Sequence, residues 1–299
     1  MPRLPFLFRR LVPALALALW MSSCASVPYQ HDRPADHVST FKLRPGEPQV
    51  ERGMPLGLLD GLGWVIGIPS KIILLDRRMD NHYISPETEE ALVRYLQANS
   101  LTEVKVRLNE YAPIGEWSRL FRNKDVCWAW RYTLGTLSLL GYTLLPGRLL
   151  GGDNYNPYTD TISIYSDHPA VARHEGGHSK DFARRTYKGT YGALYMLPFF
   201  ALYPEALATG DAIGYLRTDD TAETEKQAYK VLYPAYGTYI GGNFGQFFPA
   251  YSTVIYLGVV IPGHVLGRIK AAGVDERRAA EPPVHEQTTP DAASKEVSP

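Results

Sequence analysis

The chain is poor in cysteine, with only Cys24 and Cys127 among its 299 residues. Structural zinc sites commonly use several thiolates, so two thiols are too few for a cysteine-based site. Any metal centre in this chain must therefore rely on imidazole and carboxylate ligands. Cys127 lies among Val126, Trp128 and Trp130, and this apolar context predicts a buried thiol.

An excess of either charge is also missing, because 31 Lys and Arg residues balance 31 Asp and Glu residues. This balance gives no electrostatic reason to expect nucleic acid as a partner. At this length, with 45% hydrophobic residues, the chain can form one substantial domain with a real core.

Asp, Glu, Lys and Arg are all missing from residues 231–267, which are rich in Gly, Tyr and Phe. Two interpretations fit this segment: a helix pair in or on a membrane, or a buried pair packed through its small residues. In the second, Asn243 and Gln246 hydrogen-bond internally. Pro249 and Pro262 leave about a dozen uninterrupted residues, too few for a span, so we favour a buried or interfacial pair. We interpret the apolar residues 55–75 in the same way.

The N-terminal apolar run, residues 11–21, follows Arg3, Arg9 and Arg10 and is too short to span a bilayer, as in an export signal. The next residues lead to Cys24, and Met-Ser-Ser-Cys at 21–24 resembles the lipobox of bacterial lipoproteins. That resemblance implies a signal peptide over residues 1–23, acylation of Cys24 and a lipid-anchored protein in the cell envelope. Ala25 after the cysteine implies the periplasmic face of the outer membrane. The alternative is a plain secretory signal with an incidental cysteine.

Composition divides the remaining chain into three parts. Prolines punctuate the polar residues 24–50, which we interpret as a tether. Residues 273–299 are rich in Ala, Glu, Pro, Ser and Thr without apolar periodicity, and this composition predicts a disordered tail. The folded domain is therefore expected over residues 51–272.

Helix signals outnumber strand signals within this domain. Ser85 followed by Pro86 and several acids is a strong helix start, and residues 128–145 predict a second helix. Alternation over residues 104–108, with Lys105 and Arg107 facing outwards, predicts a half-buried strand, and residues 161–165 predict another. These patterns favour an α+β fold, mainly helical, with a small sheet.

The second strand leads into the motif that carries the chemistry, His174-Glu175-x-x-His178. Ser166 or Asp167 can cap a helix over residues 169–185, with Arg173 and Lys180 on its solvent side. Residues four apart share a helix face, so both imidazoles can bind one ion beside Glu175. Zinc is the expected ion, because it lowers the pKa of a bound water that a neighbouring carboxylate can deprotonate.

Gly176 and Gly177 are unusual inside that helix, because each costs about 1 kcal/mol relative to Ala. Close approach of another backbone is one physical reason for both.

A third ligand is expected from a second helix that folds back on the first. Glu205 is the only charged residue in the apolar run 191–210, where an unpaired carboxylate would be expensive to bury. The stretch of chain between His178 and Glu205 is long enough for the first helix to end and for a second helix to run back along it. Glu223 is the competing ligand.

His174, Glu175, His178 and Glu205, after a strand, resemble the gluzincin branch of zinc metallopeptidases, which includes thermolysin-like and membrane-associated prenyl-protein-type peptidases. The resemblance covers roughly residues 160–214. It implies a zincin-like domain, in which the two histidines and Glu205 bind zinc and Glu175 is the general base. The sequence departs from the family by having Thr209 where an acid often lies four residues beyond the third ligand.

Supporting residues are less well defined by the sequence. Asp181 can accept the free ring N–H of a ligand histidine, or it can pair with Arg184 or Arg185. A donor to the substrate oxyanion is expected from Tyr229, Tyr233, Tyr236 or Tyr239. The strand at residues 161–165, if exposed at an edge, can hold an extended peptide.

The leading hypothesis is a lipid-anchored zinc metallopeptidase that hydrolyses a peptide or protein substrate at a membrane surface. One alternative is a structural or scaffold lipoprotein that retains the fold without a competent metal. Another is a non-catalytic zinc-binding module.

Overall fold

A computed structural model describes residues 39–280, which are mostly helical and contain one four-stranded sheet. This confirms the predicted α+β class. The strands are β1 (Val50–Arg52), β2 (Lys105–Leu108), β3 (Asn154–Asn156) and β4 (Thr161–Ile164). They lie in the order β1-β2-β4-β3, with β3 antiparallel to β4 and the other pairs parallel.

The helices follow one another with short connections. Before the motif they are α1 (Gly57–Ile66), α2 (Ile68–Leu74), α3 (Pro86–Ala98), α4 (Pro113–Arg122), α5 (Trp128–Trp130), α6 (Thr136–Leu144) and α7 (Gly147–Leu150). From the motif onwards they are α8 (Pro169–Ala183), α9 (Lys188–Leu194), α10 (Leu202–Asp219), α11 (Ala222–Gly245), α12 (Ser252–Ala272) and α13 (Val274–Ala280). A π-helical turn, Arg131–Gly135, interrupts the helix predicted over residues 128–145. The predicted helix start at Ser85 is confirmed, since its side chain caps the Thr88 N–H.

The two central strands of the sheet, β2 and β4, are buried on both faces, which corrects the prediction of a half-buried strand at residues 104–108. Every residue of β2 and β4 is buried. Lys105 Nζ lies 2.8 Å from the Glu51 carboxylate, and Arg107 Nε lies 2.7 Å from that of Glu116. Alternation failed to predict this because strands covered on both sides can still carry long basic side chains, provided that each charge is paired.

Both ends of the described chain are more ordered than composition predicts. Within the predicted tether, the Thr40 hydroxyl and N–H hydrogen-bond to Asp125, and β1 begins at Val50. Within the predicted disordered tail, Val274–Ala280 forms α13, where Arg278 Nε lies 2.8 Å from Glu225 Oε2. Hydrogen bonds to Asp125 hold the first segment, and ion pairs together with the buried side chain of Val274 hold the second.

The predictions for the two cysteines have different outcomes. Cys127 is exposed, so the prediction of a buried thiol is wrong. The predicted signal peptide, the predicted acylation site Cys24 and the end of the predicted tail lie outside the described residues.

Helices α11 and α12 form the helix pair expected over residues 231–267, and they pack through glycines. A side chain at Gly241 would approach the Tyr256 Cα to 2.8 Å, and one at Gly263 would approach the Pro234 Cα to 2.9 Å. A side chain at Gly267 would come within 2.3 Å of the Tyr229 carbonyl oxygen. Packing through small residues is thus confirmed on one side of α12.

The opposite side of α12 is exposed, so the pair is not buried throughout. By length and composition, one helical stretch in the described residues, Pro249–Ala280, can cross a membrane, and α1 with α2 forms a bent pair that passes the same test.

The predicted internal hydrogen bonding of Asn243 is confirmed, because its side-chain oxygen accepts from the Phe199 N–H at 2.8 Å.

We expect Gly267→Ala to destabilise the protein by about 1–3 kcal/mol, because its methyl group would overlap the Tyr229 carbonyl and force α11 and α12 apart. Gly242→Ala is the matched control, since a side chain there meets nothing within 4 Å. It should be neutral or stabilising by up to about 1 kcal/mol, the helix-propensity gain. Thermal unfolding followed by circular dichroism measures both; equal melting temperatures would refute the packing argument.

Candidate metal centre

Helix α8 begins immediately after β4 and is fixed by a cap and a proline. His168, rather than Ser166 or Asp167, is the N-cap: its ring Nδ1 accepts a hydrogen bond from the Ala170 N–H at 3.1 Å. Asp167 instead accepts from the Ser85 N–H at 2.9 Å and ties the start of α3 to the start of α8. The motif helix therefore begins at a defined point beside the sheet.

The helix is buried almost completely, including the side that the sequence assigned to solvent. Arg173 and Lys180 are 1% and 2% exposed. Arg173 pairs with Asp220 at 2.5 Å, and Lys180 pairs with Asp211 at 2.6 Å. Because both aspartates belong to α10 or its C-terminal end, these ion pairs hold α10 against α8. The prediction that Arg173 and Lys180 face solvent is therefore wrong.

The paired glycines make this close packing feasible. A side chain at Gly177 would lie 3.0 Å from the Ala208 Cα on α10, so the expected close backbone neighbour is present there. At Gly176 the neighbour is a ring instead, since a side chain would lie 2.7 Å from Tyr95 Cδ1. The glycines thus admit α10 on one side of α8 and an aromatic residue of α3 on another.

Glu205, in the first turn of α10, meets both motif histidines. His174 Nε2 lies 3.1 Å from Glu205 Oε2 and 3.1 Å from His178 Nε2, and His178 Nε2 lies 3.4 Å from the same Glu205 oxygen. All three residues are at least nine-tenths buried. Of the described residues, these form the one group of histidine and acidic side chains close enough to hold a metal ion.

The donor set fits a small tetrahedral cation. Ligand atoms bound at about 2.0–2.1 Å with tetrahedral angles lie about 3.3 Å from one another, which agrees with the three distances between His174, His178 and Glu205. A proton shared among two imidazole nitrogens and a carboxylate oxygen cannot satisfy all three at once, whereas a cation can.

The electrostatics of Glu205 agree with a site for positive charge. Burial on its own would raise the pKa of Glu205, but the neighbouring His178 and His174 imidazoles outweigh burial and hold that pKa well below its usual range. Glu223, the competing candidate, is exposed on α11 and accepts a hydrogen bond from Gln227 at 3.2 Å. The structure therefore does not bring Glu223 to the histidines.

The outer ring nitrogens of the two histidines meet hydroxyl groups. His174 Nδ1 lies 3.3 Å from Thr209 Oγ1, and His178 Nδ1 lies 3.4 Å from the Tyr195 hydroxyl. Thr209 occupies the position where the resembled family often has an acid. Hydroxyl oxygens that accept from Nδ1–H would leave each Nε2 lone pair directed at the centre of the site.

Asp181 does not have the outer role that the sequence suggested for it. Its carboxylate pairs with Arg185, and the Tyr191 hydroxyl donates to it at 2.6 Å. Arg185 lies four residues after Asp181, a spacing at which side chains of a helix can pair. The alternative assignment, a pairing with arginine, describes this residue.

A cavity of about 240 Å³ opens beside the site and is lined by His178, Glu205 and Glu175. Burial raises the pKa of Glu175 to about 8, with further raising by the Glu205 and Asp153 charges against the opposing influence of His174. The β3 backbone at Tyr155 hydrogen-bonds to the Glu175 carboxylate. Glu175 is thus held where it faces both the cavity and the strand.

Tyrosines and an aspartate complete the cavity, and sequence reasoning missed most of them. Tyr239, one of four candidate tyrosines, lines the cavity, as does Tyr195. Asp153 also lines it and accepts from the Tyr165 and Ser166 N–H groups at 2.7 and 2.9 Å. The sequence carried a signal for this turn, the glycine pair at 151 and 152 before Asp153, and both glycines adopt positive φ angles that other residues rarely adopt.

We expect Glu205→Gln to weaken zinc binding by more than about a hundredfold, because losing even a supporting residue of a zinc ligand costs 10–100-fold. Glu223→Gln is the matched control and should bind zinc like the unsubstituted chain. Competition with a chromophoric chelator measures both affinities. Equal weakening by the two substitutions would contradict the site described above.

Comparison of the chain with protein-family profiles, with curated proteins and with solved structures finds no match in any of the three.

Proposed function

We propose that the protein is a zinc-dependent metallopeptidase of the gluzincin type, with a zincin-like domain, that acts at a membrane surface. The observation that carries this proposal is the convergence of His174, His178 and Glu205 beside a cavity that also contains Glu175. Two imidazoles and one carboxylate form the ligand set typical of catalytic zinc, which keeps a fourth position open. A closed structural site would use four protein ligands.

The bound metal would polarise a substrate carbonyl and make water nucleophilic near neutral pH. The positive charge of the metal would favour the ionised form of Glu175 against the effect of burial. The role of this carboxylate is to take a proton from the attacking water and to pass it to the departing amine. Its burial and the Tyr155 backbone contact hold its carboxylate at the cavity wall. Tyr195 and Tyr239 line the same cavity, and their hydroxyls are the candidates for hydrogen bonds to the developing oxyanion.

The sheet offers a platform for an extended peptide, but on a different strand from the expected one. β4 pairs with β2 on one side and with β3 on the other, so the idea that residues 161–165 form an exposed edge is wrong. β3 is the edge strand on the side of β4, and Asn154 and Tyr155 from it line the cavity. We therefore assign the substrate-binding edge to β3, because unpaired strand edges accept an added strand.

The proposal includes attachment to the bacterial cell envelope, on the outer-membrane side, through an acylated Cys24. Support for this attachment comes from the lipobox-like residues 21–24. Zinc content and peptide hydrolysis, measured together, distinguish the enzyme from a scaffold lipoprotein and from a non-catalytic zinc module.

Glu175→Gln should retain zinc and reduce peptide hydrolysis by at least about a hundredfold, because general base catalysis contributes roughly 10²–10⁴-fold. The measurement pairs zinc content per chain with turnover of a library of fluorogenic peptides. Glu87→Gln, at an exposed residue of α3, is the matched control and should leave both unchanged.

Hydrolysis that survives Glu175→Gln would refute the mechanism. Zinc without hydrolysis in the unsubstituted chain would favour the non-catalytic module, and a chain that binds no zinc would favour the scaffold lipoprotein.

A further inference from the structure

Helix α12 exposes a continuous stripe of large apolar side chains. Its members recur every three or four residues, and each is about half exposed or more: Val254, Leu257, Ile261, Val265 and Ile269. This spacing places them on one face over most of a 21-residue helix. The part of this helix without charged residues, 252–267, extends about 24 Å, which is most of the roughly 30 Å thickness of a bilayer's hydrocarbon core.

Helix α12 packs on α11 through glycines at the closest contacts and leaves a second set of large apolar side chains facing outwards. Gly241 and Gly263 admit the facing backbone, while the side chains of the stripe point away from α11. The buried side chains of α12 include Ile255, Val259 and Val260. In water, the hydrophobic effect would favour burial of the exposed stripe as well. Helix pairs in lipid instead associate through small residues, because outward-facing apolar side chains lose nothing there.

The two ends of this helix pair differ from its middle. Exposed aromatic residues, Phe247, Phe248 and Tyr251, lie at the turn between α11 and α12. Charged residues resume only at Arg268 and Lys270, near the other end of α12. Aromatic rings and basic side chains are the groups that prefer the boundary between lipid and water.

The stripe continues onto a second apolar element. His264 Nε2, on α12, lies 2.8 Å from the carbonyl oxygen of Ile73 on α2, so the two helices touch. Ile72 is 66% exposed beside that contact. Helix α1, which precedes α2, carries further exposed apolar residues: Leu58, Leu62, Trp64, Val65 and Ile66. We define the apolar face as the exposed apolar side chains of α1, α2 and α12.

We propose that this apolar face lies in the hydrocarbon of a lipid bilayer, with the aromatic turn and the basic end of α12 near the boundary with water. A protein partner is a poorer fit, because protein interfaces have a polar rim and enriched arginine. The stripe has no charged residue between Tyr251 and Arg268. This inference does not depend on the proposed hydrolase activity or on an acyl anchor.

The proposal is tested on the full chain by measuring how deeply a fluorescent label on α12 lies in the bilayer of lipid vesicles. With Cys127→Ser as background, Ile261→Cys places a single new thiol on the stripe for an environment-sensitive fluorophore. The chain is reconstituted into vesicles of phosphatidylethanolamine and phosphatidylglycerol. Quenching is measured with iodide in the water and with lipids that carry a spin label on the acyl chain.

The control is Glu90→Cys in the same background, at an exposed position of α3. The Cys127→Ser chain with no added thiol corrects for any label at Cys24. Melting curves check that each variant folds, as expected for replacements of exposed side chains.

We expect the Ile261→Cys label to be quenched by the spin-labelled lipid and to be about tenfold less sensitive to iodide than the Glu90→Cys label, because hydrocarbon excludes ions. Equal iodide quenching at both positions would overturn the proposal. So would an Ile261→Cys label that is shielded from both quenchers in a chain that chemical cross-linking shows to be dimeric. That result would assign the apolar face to a second copy of the chain.

Discussion

The packing of α8 against α10 brings the buried carboxylate of Glu205 to the imidazoles of His174 and His178. An ionised carboxylate away from water costs several kcal/mol unless positive charge meets it. Glu205 is 6% exposed, and its oxygen lies within 3.4 Å of both His174 and His178. Because the histidines belong to α8 and Glu205 to α10, the site exists only when these two helices pack closely, and Gly177 permits that packing.

Ion pairs around α8 serve the same packing. Arg173 and Lys180 reach towards α10 and bind Asp220 and Asp211, so the helices are held together by paired charges as well as by apolar contact. Tyr95 also donates to Asp211, which links α3 to this group. Helix α8 is thereby held on several sides at once, and the histidines have little freedom to move apart.

Local geometry explains which parts of the fold and site the sequence could predict. His174 and His178 were predictable because residues four apart always share a helix face. Glu205 was predictable because a lone acid in an apolar run needs a partner. Thr209 and Tyr195 were not, because tertiary packing brings each of them to the histidines. For Asp153 the sequence offered only the glycine pair before it, which indicates a turn but not its place in the site. The prediction that charged residues face solvent failed where the charge is paired inside the fold, as for Lys105 with Glu51. The prediction that apolar residues are buried failed along one side of α12.

The two glycines of the motif have a consequence for evolutionary variation. Gly176 has no room for a side chain because Tyr95 fills that space, and Gly177 has none because Ala208 does. Residue sizes within each pair are therefore coupled: a larger residue at 176 requires a smaller one at 95, and a larger one at 177 requires a shift of α10. In chains that share this fold, positions 95 and 176 should covary in volume, whereas position 177 should stay glycine wherever the glutamate of α10 is kept.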